Sequence, residues 1–298
     1  MTDTATLHKR QNQMMSGIYV LATPIGNLLD LSERAKLILS NCHLIFAEDT
    51  RITRKLLTLL NLKKPPLGIK SLHKFSEAKT VANLNIKKKN EIIVITCDAG
   101  TPAICDPGAR MISHCRSIGL RIFSIPGPCS LVSSFSVSGF ELSKNEPLSF
   151  WGYFPRKIGE QTNLLMKMRN MGGFVVFFEV ASRLLKTLTA IQAAFGPETK
   201  VFISKEITKV YEAHWFDSVD NHLTKFKDGN SSPVDATRGE FVVTLDIPKA
   251  VETDLEDERL RKWIYALQPH MTNADLVKIL SRELQVSKKK VYSYVIRN

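Results

Sequence analysis

Three times in the first 130 residues, a short apolar run ends in a turn dense in proline and glycine, and helical spacing follows. Tyr19-Val20-Leu21-Ala22 enters Thr23-Pro24-Ile25-Gly26-Asn27. Ile92-Ile93-Val94-Ile95 enters Thr96-Cys97-Asp98-Ala99-Gly100-Thr101-Pro102-Ala103-Ile104-Cys105-Asp106-Pro107-Gly108. Arg121-Ile122-Phe123-Ser124-Ile125 enters Pro126-Gly127-Pro128-Cys129-Ser130. Short apolar runs alternating with helices predict a mostly parallel sheet, because parallel neighbours need a crossover between them. Such sheets bind ligands beyond the carboxyl ends of their strands. Three turns of one kind therefore predict one composite pocket at one sheet edge. Glycine lets backbone approach a ligand closely, and proline stiffens the turn before binding. Carboxylates at strand ends, Asp98 and Asp106, suit ribose hydroxyls or a cationic ligand group. The chain has neither G-x-x-x-x-G-K-[ST] nor G-x-G-x-x-G, which argues against NTPases and ordinary dinucleotide dehydrogenases.

The alternation continues along the chain. Strands are expected over 18–22, 44–47, 92–96 and 121–125. Leu31, Ala35, Ile38 and Leu39 repeat at helical spacing behind Asp30 or Ser32 as a cap. Further helices are expected over 52–60, 77–89 and 109–117, and a helix of small residues over 130–138. Val-, Ile- and Phe-rich runs then predict strands over 148–153, 174–178, 200–203, 210–216 and 240–245, with helices over 162–169 and 182–195. Together they make a second α/β lobe with a mixed sheet. The polar stretch 229–239, with Ser231, Ser232, Pro233 and Arg238, reads as a loop or flap. Past Pro248 the pattern is helical: 254–267, a helix capped by Thr272 or Asn273, and a last helix behind Ser287. Two short helices with a tight turn resemble a helix-turn-helix, with Lys288-Lys289-Lys290 at its nucleic-acid-facing end. The expected division is a loose polar arm over 1–16, lobes over 17–125 and 126–248, and a helical tail over 249–298.

Composition narrows the partners. The formal net charge is +12 over 298 residues, with basic clusters at Lys63-Lys64, Lys87-Lys88-Lys89 and Lys288-Lys289-Lys290. Phosphate neutralisation supplies most non-specific nucleic-acid affinity, so this excess points to a nucleic-acid partner. The five cysteines (Cys42, Cys97, Cys105, Cys115, Cys129) include no C-x-x-C, so a reduced cytoplasmic setting without disulfides or metal is expected. No uncharged apolar run is long enough to span a membrane, and the first sixteen residues lack the apolar core of a secretory signal.

Thr23-Pro24-Ile25-Gly26-Asn27, Ala47-Glu48-Asp49-Thr50-Arg51, Asp98-Ala99-Gly100-Thr101-Pro102 with Asp106-Pro107-Gly108, and Pro126-Gly127-Pro128 occur in this order. As a set they resemble the bacterial 16S rRNA ribose 2′-O-methyltransferases, a branch of the tetrapyrrole methylase superfamily. The resemblance covers roughly residues 17–248 and extends to the helical tail. It implies a two-lobed tetrapyrrole-methylase-like α/β fold with S-adenosylmethionine held between the lobes. It further implies an acceptor ribose on cytidine 1402 (the usual rRNA numbering) of the small ribosomal subunit, and a homodimer. By position, Pro24, Asp98, Ala99, Gly100, Thr101, Pro102, Ile104, Asp106, Pro126, Gly127 and Ser130 would shape the donor pocket. This chain departs from the family at Glu179-Val180-Ala181-Ser182-Arg183, where a histidine usually precedes the arginine, and at Lys205, where arginine is commoner.

Methyl transfer to a ribose hydroxyl gains from a base or from a cation that stabilises the developing alkoxide. Asp49 is the expected base, with Glu48 beside it and Arg51 or Lys205 as the electrostatic partner. The competing role for Glu48, Asp49 and Arg51 is a structural ion pair or helix cap. Glu179 and Arg183 have the spacing of a structural i,i+4 pair. Phe75, Tyr153, Phe154 and Trp215 are candidates for base stacking. Two other functions fit less well: C-methylation of a tetrapyrrole, against which the basic charge argues, and non-catalytic RNA binding in ribosome assembly.

Overall fold

The computed structural model describes residues 14–73, 77, 80, 91–227, 239–248, 252–284 and 286–296. The expected arm over 1–16, the helix over 77–89, the flap over 229–239 and Phe75 lie largely or wholly outside them.

The first sheet contains β1 (Gly17–Leu21), β2 (Leu44–Ala47), β3 (Ile69–Ser71), β4 (Ile92–Thr96) and β5 (Ile122–Ile125). Their order is β3-β2-β4-β1-β5, and every pairing is parallel. All five strands therefore deliver their following loops to one edge. Helix α1 (Glu33–Asn41) covers one face with Ala35, Ile38 and Leu39, joined by Leu31. Ser32 rather than Asp30 caps it, its side chain accepting from Ala35 N–H. Helix α2 (Thr50–Leu59) follows β2, beginning two residues before the expected start because Asp49 caps it. Helix α3 (Ala109–Ser117) covers the opposite face, packing Met111 and Cys115 on Phe46, Ile93 and Ile95. Burying each Leu, Ile, Phe or Met side chain here stabilises the layer by about 1.5–3 kcal/mol.

Helix α4 (Ser130–Ser136) leads to the second sheet, built from β6 (Leu148–Tyr153), β7 (Gly173–Val180), β8 (Lys200–Lys205), β9 (Ala213–Ser218) and β10 (Glu240–Ile247). Its order is β6-β7-β10-β8-β9; β6 and β7 run parallel, and the other pairs are antiparallel. Side chains alternate between faces. Val175, Phe177, Phe241, Val243 and Leu245 meet helices α5 (Ile158–Met171), α6 (Ala181–Phe195) and α7 (Val219–Lys227) in the largest core cluster. Val176 and Val242, on the other face, pack with Ile207 against Ile25, Leu131 and Phe135. That face is where the second sheet meets the β1 loop and α4.

Three elements depart from expectation. β3 has only Ile69 to signal a strand and is a short edge. Helix α7 was not expected in the polar segment after β9. Strand β9 starts at Ala213, because residues 206–212 form a turn with left-handed backbone at Glu206 (φ 50°) and Thr208 (φ 67°); Val210 and Tyr211 are thus exposed rather than paired.

The C-terminal helices α8 (Glu252–Leu267), α9 (Asn273–Glu283) and α10 (Lys288–Ile296) enclose a cluster of their own, with Leu260, Ile264, Leu276, Leu280, Val291 and Val295. Thr272 caps α9, and Ser287 accepts from Lys290 N–H at the start of α10, as the sequence predicts.

Candidate functional site

The turns after β1, β4 and β5 abut one another. Thr23 N–H donates to the Gly100 carbonyl at 2.9 Å, and Gly100 N–H returns a bond to the Thr23 carbonyl at 3.1 Å. Thr101 Oγ1 donates to the Pro128 carbonyl at 3.2 Å. Two glycines make this approach possible. Gly100 sits at φ 82°, and a Cβ on Gly127 would stand 3.0 Å from Ala22 Cβ. Thr23 and Thr96, both buried, donate to the Cys97 and Leu21 carbonyls and tie the strand ends beneath the loops. Pro24, Gly100, Thr101, Gly127 and the two Asp-bearing segments are thus in one place. Ile104 is 61% exposed, and Ser130 opens α4 directly after the proline turn.

Carboxylates gather at this edge. Asp98 Oδ1 accepts from Asp49 N–H at 2.9 Å, coupling the β2 and β4 loops. Burial raises the Glu48 carboxyl above the ordinary glutamate range, and the charges of Asp106 and Asp98 raise it further. A hydrogen bond from the Asp98 backbone and the charge of His73 pull the other way. Asp49, expected as the base, caps α2: its carboxylate accepts from Arg51 N–H at 2.8 Å and pairs with Arg51 Nη2 at 2.6 Å. The Arg51 side chain and these backbone bonds hold Asp49 down to about 2, so it is a weak proton acceptor. The Arg51 side chain is 85% exposed and points its remaining donors to solvent. Lys205 ends β8 on the second sheet, with its stem beside Gly239.

Three further residues stand at the site, of which His73 reads from the sequence as ordinary surface and the other two carry no sequence signal of their own. Glu77 is buried and accepts from Gly108 N–H at 3.2 Å and Met111 N–H at 2.8 Å, capping α3 where the Asp106-Pro107-Gly108 turn enters it. His73 lies in electrostatic reach of Glu48. Thr208 accepts from Asn27 N–H at 3.1 Å and so fastens the second sheet to the β1 loop. Only Asn27 of that pair had a signal, inside its motif.

A second connection between the sheets runs through α4. Ser134 and Ser204, both fully buried, lie 2.7 Å apart at Oγ. Ser204 Oγ meets His214 Nδ1 at 3.0 Å, and His214 Nε2 meets Glu212 Oε1 at 2.8 Å. Glu212 also accepts from Thr208 N–H at 2.6 Å, which closes the chain of contacts back to the β1 loop. Glu179 and Arg183 form the expected i,i+4 pair at 3.2 Å. Thr187 and the Val180 N–H also donate to Glu179, and Arg183 donates to the Phe154 and Pro155 carbonyls. Arg183 thus anchors the loop after β6. Among the described residues, no group of three or more His, Cys, Asp or Glu side chains is arranged to hold a metal ion, and no helix is long and apolar enough to cross a membrane.

Residues 17–221 match the family of tetrapyrrole (corrin/porphyrin) methylases. Ribosomal RNA small subunit methyltransferase I of Mycoplasma genitalium is 37% identical over 237 residues, covering 78% of this chain and 80% of its own length. The protein of the same name from Pasteurella multocida is 30% identical over 285 residues, covering 95% and 98%. That of Mycoplasma pneumoniae is 32% identical over 297 residues, covering 94% and 98%. The crystal structure of the methyltransferase CobJ has the same fold, with a TM-score of 0.51 at 13% identity over 78% of this chain and 95% of its own. A family match over most of the chain, with relatives similar almost end to end, joins the parallel sheet, the mixed sheet and the turns between them: the chain belongs to the tetrapyrrole methylases, in the branch of the ribosomal RNA small subunit methyltransferase I proteins.

Proposed function

We propose that the chain methylates 16S rRNA, taking the methyl group from S-adenosylmethionine and placing it on the ribose 2′-hydroxyl of cytidine 1402 in the small ribosomal subunit. The observation that carries this reading is the meeting of three strand-end turns around Glu48, Asp98 and Asp106. The residues present fit the donor. Side-chain-free backbone at Gly100 and Gly127 makes a close cradle, and carboxylates suit a nucleoside that carries both ribose hydroxyls and a positive sulfur. When bound, the donor supplies an electrophilic methyl group for in-line displacement, chemistry that needs no further group.

The chain's own residues bind, orient and accept a proton. Asp98, already fixed by Asp49 N–H, directs its free oxygen to donor hydroxyls. Glu48 is the better proton acceptor for the ribose hydroxyl, because its raised pKa brings it closer to working pH than Asp49 at about 2. The Asp49–Arg51 pair then positions the acceptor: Arg51 faces an rRNA phosphate while its ion pair keeps α2 in register. Lys205 offers a second cation from the other sheet. The net charge of +12 and the Lys288–Lys290 run at the start of α10 supply attraction to the rRNA backbone. We further infer a homodimer and a cytoplasmic site of action, the compartment of the ribosome.

Mass spectrometry of small-subunit rRNA from cells with and without the gene tests the acceptor: the ribose methyl at the decoding cytidine disappears without it. An unchanged methylation pattern rejects the acceptor assignment. Calorimetric titration with S-adenosylmethionine tests the donor separately, and sedimentation tests the dimer.

A further inference from the structure

Tyr153 ends β6 at the border between the two sheets. The β6–β7 register shifts between Phe150 and Tyr153, and Gly152 in that break adopts φ 68°. A Cβ on Gly152 would lie 3.8 Å from Cys105 Sγ, so this bend rests against the loop that carries Asp106. Tyr153 is 52% exposed, whereas its neighbour Phe154 is fully buried and Trp215 packs into the second core. Its ring is braced from one side by Phe178, with centroids 5.3 Å apart at 62°, and Phe178 is braced in turn by Phe150 at 4.9 Å. The phenol hydroxyl reaches Glu240 Oε1 at 3.5 Å, a long contact at the outer end of the ring. The electrostatic neighbours of the phenol include Asp106 and Cys105 across the border. A large, rigid, half-open aromatic surface therefore stands beside the carboxylate edge and belongs to the sheet that does not carry the carboxylates.

We propose that the ring of Tyr153 is the stacking platform for the acceptor nucleobase, holding a pyrimidine turned out of the rRNA chain so that its ribose points to Glu48. This rests on the rRNA acceptor proposed above. A ribose hydroxyl inside a folded rRNA reaches a recessed carboxylate only if the nucleotide leaves its stack, and an aromatic ring replaces part of the lost stacking. The brace from Phe178 means that the ring loses little freedom when the base arrives. Stacking reads no base edge, so Tyr153 supplies acceptor affinity and orientation rather than sequence choice.

The test uses the full chain, labelled S-adenosylmethionine and small subunits from cells lacking the methylation, with donor affinity measured by calorimetry. Tyr153→Ala is expected to raise the KM for subunits about 5- to 100-fold, the range of one lost stack, with donor affinity within about twofold of wild type. Tyr153→Phe keeps the ring and is expected to stay within about threefold. Tyr153→Leu keeps apolar packing on Phe178 without a π face and is expected to behave like the alanine variant, which separates stacking from fold stability. An unchanged KM in Tyr153→Ala, a Phe variant as weak as the Ala variant, a Leu variant as good as wild type, or loss of donor binding in Tyr153→Ala would each overturn the proposal. A wild-type protein that binds donor but leaves subunits unmethylated would refute the acceptor itself, a result visible before any variant is compared.

Discussion

The two sheets divide the work unequally. The first is wholly parallel, so the turns after β1, β2, β4 and β5 all emerge at one edge, and the turn residues, Glu48, Asp98 and Asp106 arrive there together. In the second, β6, β7 and β8 run one way and β9 and β10 the other, so its loops leave from both ends. Among the described residues it sends Tyr153, Lys205 and the 206–212 turn toward that edge, and the buried carboxylate of Glu179 serves packing. A parallel sheet concentrates chemistry, and a mixed one buttresses it.

That contrast can be broken by substitution. Glu48→Gln should lower turnover most, by about 10²–10⁴-fold if Glu48 is the base, and should abolish the rise of rate with pH. The wild-type rate should climb through an apparent pKa above ordinary glutamate values, because burial and the charges of Asp106 and Asp98 raise that of Glu48. The same variant should melt higher at neutral pH. A carboxyl whose folded pKa is raised favours folding below its unfolded pKa, and this contribution is lost as pH rises through the folded value, a loss glutamine does not share. Unchanged rates with an unchanged pH profile would exclude Glu48.

Glu179→Ala should act on the other sheet alone. It leaves Arg183 without its partner beside a buried site and should destabilise folding by about 3–5 kcal/mol, read by denaturant unfolding, while the folded fraction binds donor normally. A donor defect in the folded fraction would contradict the division of labour. Asp98→Ala should mirror it, weakening donor binding about 10- to 100-fold in calorimetry, as for lost hydrogen bonds to a charged group, with a smaller loss of stability. Gly26→Ala tests the seam between the sheets. Its Cβ would meet Lys209 Cγ at 2.5 Å, Thr208 Oγ1 at 2.8 Å and the Ile207 carbonyl at 3.1 Å. About 1–3 kcal/mol of overpacking is expected, together with weaker donor binding. Normal donor binding at reduced stability would show that the seam does not shape the pocket.

Much of this arrangement was legible in the chain. Apolar runs ending in proline and glycine located β1, β4 and β5 and the loops that meet at the edge, because those residue types carry backbone geometry directly. Ser32, Thr272 and Ser287 were legible as caps because a cap bonds within three residues. The strand expected over 210–216 begins only at Ala213: Val210 and Tyr211 have strand propensity, but hydrogen bonds from Thr208 N–H to Glu212 and from Asn27 N–H to Thr208 override it. The base assignment shifted for a similar reason. Asp49 and Glu48 are alike as letters, and only their surroundings, Arg51 for one and burial with the charges of Asp106 and Asp98 for the other, separate their acidities. Contacts spanning long separations, such as Ser134 with Ser204, leave no periodic trace.

The Glu77 cap has a dynamic consequence. One carboxylate holds the amides of Gly108 and Met111, 31 and 34 residues further along the chain. When Glu77 leaves this position, those two amides lose their acceptor, and the first turn of α3 frays together with it. Deuterium uptake at Gly108 and Met111 should therefore keep pace with uptake at Glu77, and a ligand that quiets one should quiet all three.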